Sequence, residues 1–274
     1  MLKKLLKYDF KAVMRFWWIA AAASTALAAV CGVCSDIRYA NESVEAVAAL
    51  MNMIEALAMM GIMAFVVLPV VLIGIRFYKN FFTDEGYLTF TLPVKLTDLI
   101  HSKLMMGVTV RLLSGVVLIV NVLMTEGFVN ENSVFSPSYW NDPTVTIDPV
   151  TGEEFVYGCI YLAEILAIAV VLTVLSELFL SACITFACML VRKARVITAI
   201  GIYYGVNQVL SIGSLFFLLP FMAGADSILQ PVNVRVESLM LALILLGVLL
   251  LLAMLCGLLY LAQYRMLDRK LNLN

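Results

Sequence analysis

The sequence predicts an all-α polytopic membrane protein with six transmembrane helices. Three observations predict it. Mean hydropathy is +1.01 and charged residues make up 14% of the chain, where ordinary soluble domains carry about a quarter. Apolar runs recur that reach the roughly 20 residues a helix needs to cross a bilayer. The basic residues fall almost entirely on one side of those runs. The net charge of -1 gives no reason to expect nucleic acid as a partner. Where the charges sit is the informative quantity.

The predicted spans are 16–34, 50–75, 104–125, 156–191, 196–219 and 239–260. Lys3, Lys4, Lys7, Lys11 and Arg15 precede the first, and Arg76, Lys79, Lys95 and Lys103 lie between the second and third. Arg192, Lys193 and Arg195 separate the fourth from the fifth, and Arg265, Arg269 and Lys270 follow the sixth. Arg38 and Arg235 fall on the other side, and Arg111 lies inside a span. Basic loops stay in the cytoplasm. Both termini are therefore expected there, in a multi-pass protein of the cell membrane. An even number of spans returns the chain to the side it left, so the count and the charges agree.

Residues 1–15 read as an amphipathic interfacial helix. Leu2, Leu5, Leu6, Phe10, Val13 and Met14 form one face, and Lys4, Lys7, Lys11 and Arg15 the other. Such a helix lies in the headgroup plane with its cations toward anionic lipid. The basic start before "AAAASTALAAVC" imitates a signal peptide. Val30 before Cys31 does not suit a lipoprotein cleavage site, and five more spans follow. Cys31, Cys34, Cys159, Cys183, Cys188 and Cys256 are scattered and read as small apolar packing residues rather than a redox or metal motif.

Ser35–Ala49 is a short outer loop, with an "NES" sequon at Asn41. The second span opens with Met51, Met53, Met59, Met60 and Met63, which suit an adaptable apolar surface. Residues 76–103 form a cytoplasmic passage. Residues 126–155 form the long outer loop, rich in Glu and Asp and free of Lys and Arg. Within it "TVTIDPVTGEEFVYG" has the punctuation of a β-hairpin. The fourth span is too long for a 30 Å hydrocarbon layer, so it tilts, projects or breaks. Pro220–Glu237 is a third outer loop, whose apolar "PFMAG" start suits the membrane edge.

Polar groups inside spans mark functional candidates, because burying them in lipid is costly. Arg111 and Glu177 are the charged ones. A structural pair, a cavity wall and a proton or substrate ligand all remain open readings. Asn207 and Gln208 follow "YYG" in the fifth span and suit interhelical hydrogen bonds. Glu55 and Glu164 sit nearer the outer surface and read as solvated. Enzyme motifs are lacking. A single His and no HExxH pattern exclude the usual zinc-site signatures. No phosphate-binding GxxxxGK[ST] loop occurs, so the chain needs an external engine for any ATP-driven work.

The passage from Arg76 to Leu104, "RFYKNFFTDEGYLTFTLPVKLTDLIHSKL", is the most elaborate polar stretch. Thr83 reads as the cap of a short helix, with Asp84 and Glu85 in its first turn. Gly86 keeps that helix short and Pro93 ends the extended "LTFTLP". Thr97 and Asp98 then start a helix that continues into the third span. Phe81, Phe82, Tyr87 and Leu88 are expected to be presented outward, and exposed aromatics call for a partner.

With "DEGYL", "TLPVKLTDL" and "HSKL" in that order, the passage resembles the loop between the second and third spans of ABC-2 type transporter permeases. The amphipathic start and six-span layout extend the resemblance over nearly the whole chain. Tyr87 departs from it, where a small polar residue is common. The resemblance implies a permease subunit of an ABC exporter, acting as a dimer with a second copy or a paralogue. It implies separate cytoplasmic ATPase subunits that bind ATP and Mg, and a coupling helix formed by Phe82, Thr83, Asp84, Glu85, Gly86, Tyr87 and Leu88. The chain itself is then no enzyme and binds no cofactor. Lacking a large extracellular domain, it resembles exporters of antimicrobial or amphipathic toxin peptides. The rival reading is a membrane scaffold or sensor that transports nothing.

Overall fold

In the computed structural model the described residues are 2–41, 44–83, 95–128, 152–191, 194–228 and 234–271. They form six long helices: α1 (Leu2–Ala40), α2 (Glu45–Phe82), α3 (Leu96–Thr125), α4 (Gly152–Leu190), α5 (Arg195–Ile228) and α6 (Val234–Leu271). No strand occurs among the described residues. Among the described residues five helical stretches are long and apolar enough to cross a membrane: Leu6–Ala40, Glu45–Phe82, Leu96–Thr125, Cys159–Leu190 and Ala242–Asp268. The described residues are thus all-helical, and the length and apolar composition of these helices support a membrane protein. The predicted fifth span lies on α5, whose side chains beyond Ile212 fall outside the described residues.

Two expectations change and a third narrows. Residues 2–15 are not a separate interfacial helix, because α1 runs unbroken through residues 15 and 16. A single buried stripe, including Asp9, Val13, Trp17, Ala21, Ser24, Ala28, Cys31 and Ser35, continues along it. Spacings of three and four keep these residues on one face. The β-hairpin does not form as predicted either. Residues 152–158, which would supply its second strand, are the first turns of α4. Adding residues to an existing helix needs no new nucleus, so the apolar run downstream recruits them. Finally, α4 does not break. Its 39 residues span about 58 Å, leaving tilt or projection beyond the hydrocarbon.

The chain divides into two compact units. One comprises Met1–Arg76 and Met105–Pro149, the other Phe77–Leu104 and Val150–Asn274. In the first unit α1 and α3 run parallel. Trp17 Nε1 donates to Ser114 Oγ at 2.7 Å, and Asn121 Nδ2 to Ser24 Oγ at 3.2 Å. These two buried bonds lie seven residues apart on both helices. α2 runs antiparallel to α1. Trp17 meets Phe65 near one end, while Arg38 bonds Glu55 at 2.9 Å and Asn52 at 2.8 Å near the other. Between them Ala28, Cys31, Ala58 and Ile62 form an apolar cluster with Leu27, Leu118 and Met124.

The Arg38 end is closed by a tight junction. Gly127 (φ 93) ends α3 in a left-handed conformation, and its N–H donates to the Met124 carbonyl at 3.3 Å. The following N–H, of Phe128, donates to both carboxylate oxygens of Asp36, at 3.1 and 2.9 Å. A side chain on Gly32 would collide with the Met124 carbonyl and the Phe128 ring.

In the second unit α4 and α6 are parallel. Cys256 Sγ lies 3.8 Å from the Val171 carbonyl, and Ser181 Oγ lies 3.1 Å from Gln263 Oε1. α5 returns against α4, with Tyr203 5.6 Å from Phe179 between ring centroids. Alternating directions of this kind are what a chain weaving across a bilayer requires.

Candidate functional site

The passage between α2 and α3 is built from the ends of two membrane helices. At the close of α2, Phe77, Phe81 and Phe82 are buried at 4%, 3% and 8% exposure. Their rings form one cluster, 4.8 Å between Phe77 and Phe81 and 6.3 Å between Phe77 and Phe82. Tyr78 stacks on Phe82 at 6.2 Å. Phe81 and Phe82 are therefore not presented outward, as the sequence suggested. Spacing explains this: 77 and 81 share a helix face, so the helix carries both into its own packing.

Thr83 also differs from its expected role. Its hydroxyl donates to the Lys79 carbonyl at 2.6 Å, satisfying an orphan acceptor at the end of α2. Asp84, Glu85, Gly86, Tyr87 and Leu88, with the expected coupling helix, lie outside the described residues. The chain resumes at Lys95, whose carbonyl accepts from the N–H groups of Asp98 and Leu99. Lys95 thus occupies the cap position expected of Thr97, and Asp98 remains in the first turn. His101 donates from Nδ1 to the Thr97 carbonyl at 2.8 Å, and its ring lies 5.4 Å from Tyr260 on α6. Leu99, Ile100, Ser102 and Lys103 are buried. Both ends of the passage belong to the compact unit that holds α4, α5 and α6.

Sequence reasoning missed Asp9. It is 2% exposed, and its Oδ1 accepts from Arg76 Nε at 3.0 Å. The pair ties the start of α1 to the C-terminal part of α2 within the first unit. The signal was present in the sequence. Asp9 lies four residues before Val13 and eight before Trp17, on the apolar stripe rather than among the lysines.

Glu177 lies on α4 at 4% exposure. It belongs to a polar ridge with Thr173, Ser181 and Thr185, each four residues from the next. Thr185 is fully buried and donates to the Ser181 carbonyl at 2.8 Å. Ser181 shares its hydroxyl between the Leu178 carbonyl, 3.0 Å away, and Gln263 Oε1. Gln263, on α6, is 1% exposed. Ser181, Thr185 and Gln263 were missed because each is unremarkable in sequence; only the four-residue period and the α4–α6 contact single them out. Arg111 is half-buried on α3, in the other unit.

Among the described residues Asn207 and Gln208 make no side-chain bond to another helix. Both are exposed, as is every residue of α5 from Tyr204 to Ile212. A Cβ on Gly201 or Gly205 would meet open space. Among the described residues no group of three His, Cys, Asp or Glu side chains converges as a metal site would. No family model, curated protein or solved structure matches the chain.

Proposed function

We propose that this chain is the membrane-spanning permease subunit of an ABC exporter. It crosses the membrane six times, pairs with a second copy or a paralogue, and is driven by separate cytoplasmic subunits that bind ATP and Mg. Its cargo is an amphipathic or antimicrobial peptide. The observation that carries this reading is the mounting of the passage between α2 and α3. α2 has 38 residues and α3 has 30, about 57 and 45 Å of unbroken helix against a hydrocarbon layer of about 30 Å.

In this reading, force applied to the segment between them is delivered to two long continuous helices. The buried Phe77–Phe82 cluster stiffens one root and the buried Leu99–Lys103 turn the other. Asp84–Leu88, at the tip, form the coupling helix that seats on the ATPase. In this reading Tyr87 and Leu88 are the apolar anchors, and Phe82 holds the root instead of the partner. ATP-driven closure of the ATPase pair then moves the roots together with α4–α6, whose unit they share. The Glu177 ridge and Arg111 contribute polar contacts along the pathway. The exposed amides of Asn207 and Gln208 face the second permease, where an amide can both donate to and accept from its counterpart.

The test is isolation of the full chain, affinity-tagged, from its own cell membranes in mild detergent. A P-loop ATPase should co-isolate, and the complex should hydrolyse ATP. A chain that comes out alone, with no hydrolysis, would overturn the proposal in favour of a scaffold or sensor.

A further inference from the structure

We propose that the outward face of α1 carries a binding surface for the headgroups of anionic phospholipids, built by Lys7, Lys11, Arg15 and Trp18. This inference rests on the membrane class of the chain and not on its transport function.

Lys7, Lys11 and Arg15 follow one another at four-residue spacing and all three are exposed. Tyr8, Trp18 and Ile19 stand exposed beside them at 72%, 63% and 68%. The opposite face is buried through Asp9, Val13, Trp17 and Ala21. Asp9 is the sole carboxylate in the first 35 residues, and it is turned away into its pair with Arg76. It sits two residues from both Lys7 and Lys11, a spacing that does not bring side chains together. Among the described residues none of the three cations meets a carboxylate.

What covers this face follows from its continuation. Beyond Arg15 the exposed strip runs through Trp18, Ala22, Ala23, Ala26, Val30 and Val33, with no charge before Asp36. The 21 residues from Arg15 to Asp36 cover about 32 Å, the thickness of a bilayer's hydrocarbon. Arg15 therefore marks one hydrocarbon boundary, and Trp18 takes the interfacial position that Trp favours. Lys11 and Lys7 lie about 6 and 12 Å further along the axis, through the headgroup layer and to its edge.

Because α1 is continuous, the cations form a ladder along the helix axis, not a flat basic face parallel to the membrane. The ladder merges into a surface that only acyl chains cover, so a soluble acidic protein would reach only part of it. A lipid with a negative headgroup matches the whole of it: phosphate and headgroup charge against the cations, glycerol against Trp18, chains against the alanines and valines.

The experiment uses the full chain in bilayers, with Trp17 and Trp140 replaced by Phe so that Trp18 reports. Brominated phosphatidylglycerol and brominated phosphatidylcholine compete to quench it. In parallel, native mass spectrometry of the unchanged chain counts each lipid retained from an equimolar mixture. Both readouts should favour phosphatidylglycerol at least tenfold, and Lys7→Gln, Lys11→Gln and Arg15→Gln should each reduce the preference about fivefold. Equal affinity for the two lipids in the unchanged chain would overturn the proposal. So would a preference that survives the triple substitution, or a Trp18 that neither lipid quenches.

Discussion

Asp9 shows how one buried charge can decide what a segment does. A helix intended only for the headgroup plane would turn such a residue to water. Here it lies on the stripe that packs α1 into the first unit, and Arg76 receives it. Removing one partner of a buried pair strands the other. Asp9→Ala should cost about 2–3 kcal/mol of thermal stability in detergent, a range that allows for the part-exposed Arg76. Arg76→Ala should cost a similar amount, and the double variant less than the sum. Strict additivity in that cycle would show that the contact does not couple the two helices. Gly127 is a second single-residue case. Its φ of 93° and the nearness of the Asp36 carboxylate leave no room for a side chain. Gly127→Ala should lower stability by about 1 kcal/mol or more, read as an earlier unfolding midpoint. An unchanged midpoint would mean the junction reorganises freely.

At the scale of helices, much was legible because hydrophobicity in a membrane protein is read over some twenty residues at a time. The long apolar runs located five of the helices now seen to be able to span. What was not legible was where helices stop. Nothing in "AVMRFWW" interrupts the helix between an interfacial start and a span, so α1 simply continues. Gly152–Gly158 reads as turn chemistry, yet a growing helix absorbs it. Polar residues were legible one at a time and not as groups. Glu177 stood out by its charge, whereas Ser181, Thr185 and Gln263 needed the packing of α4 on α6 to appear. The aromatics of Phe81 and Phe82 were noticed and misassigned, because sequence shows that a ring exists and not which way it points. If the Glu177 ridge lines the transport path, Glu177→Gln should leave the helices assembled, judged by gel filtration and unfolding midpoint. It should alter cargo-stimulated ATP turnover several-fold. Unaltered turnover would reduce Glu177 to a packing residue.

At the scale of the whole molecule, the chain divides into two helical units, and both ends of the passage between α2 and α3 belong to the second. Helices alternate in direction within each unit, as the predicted succession of spans requires. The sequence could not anticipate the division at Arg76–Phe77 and Leu104–Met105, which cuts across two continuous helices and follows packing alone. In the proposed mechanism this division gives the passage its purpose: whatever seats on residues 84–88 moves the ends of α2 and α3 with α4–α6. The most direct measurement places a photo-crosslinking amino acid at position 87 of the full chain in living cells, with a second probe at position 47, at the other end of α2. The account predicts that the probe at 87, and not the one at 47, becomes joined to a cytoplasmic P-loop ATPase identified by mass spectrometry. Crosslinks from 87 to lipid or to outer-surface proteins, with no ATPase among the products, would contradict it.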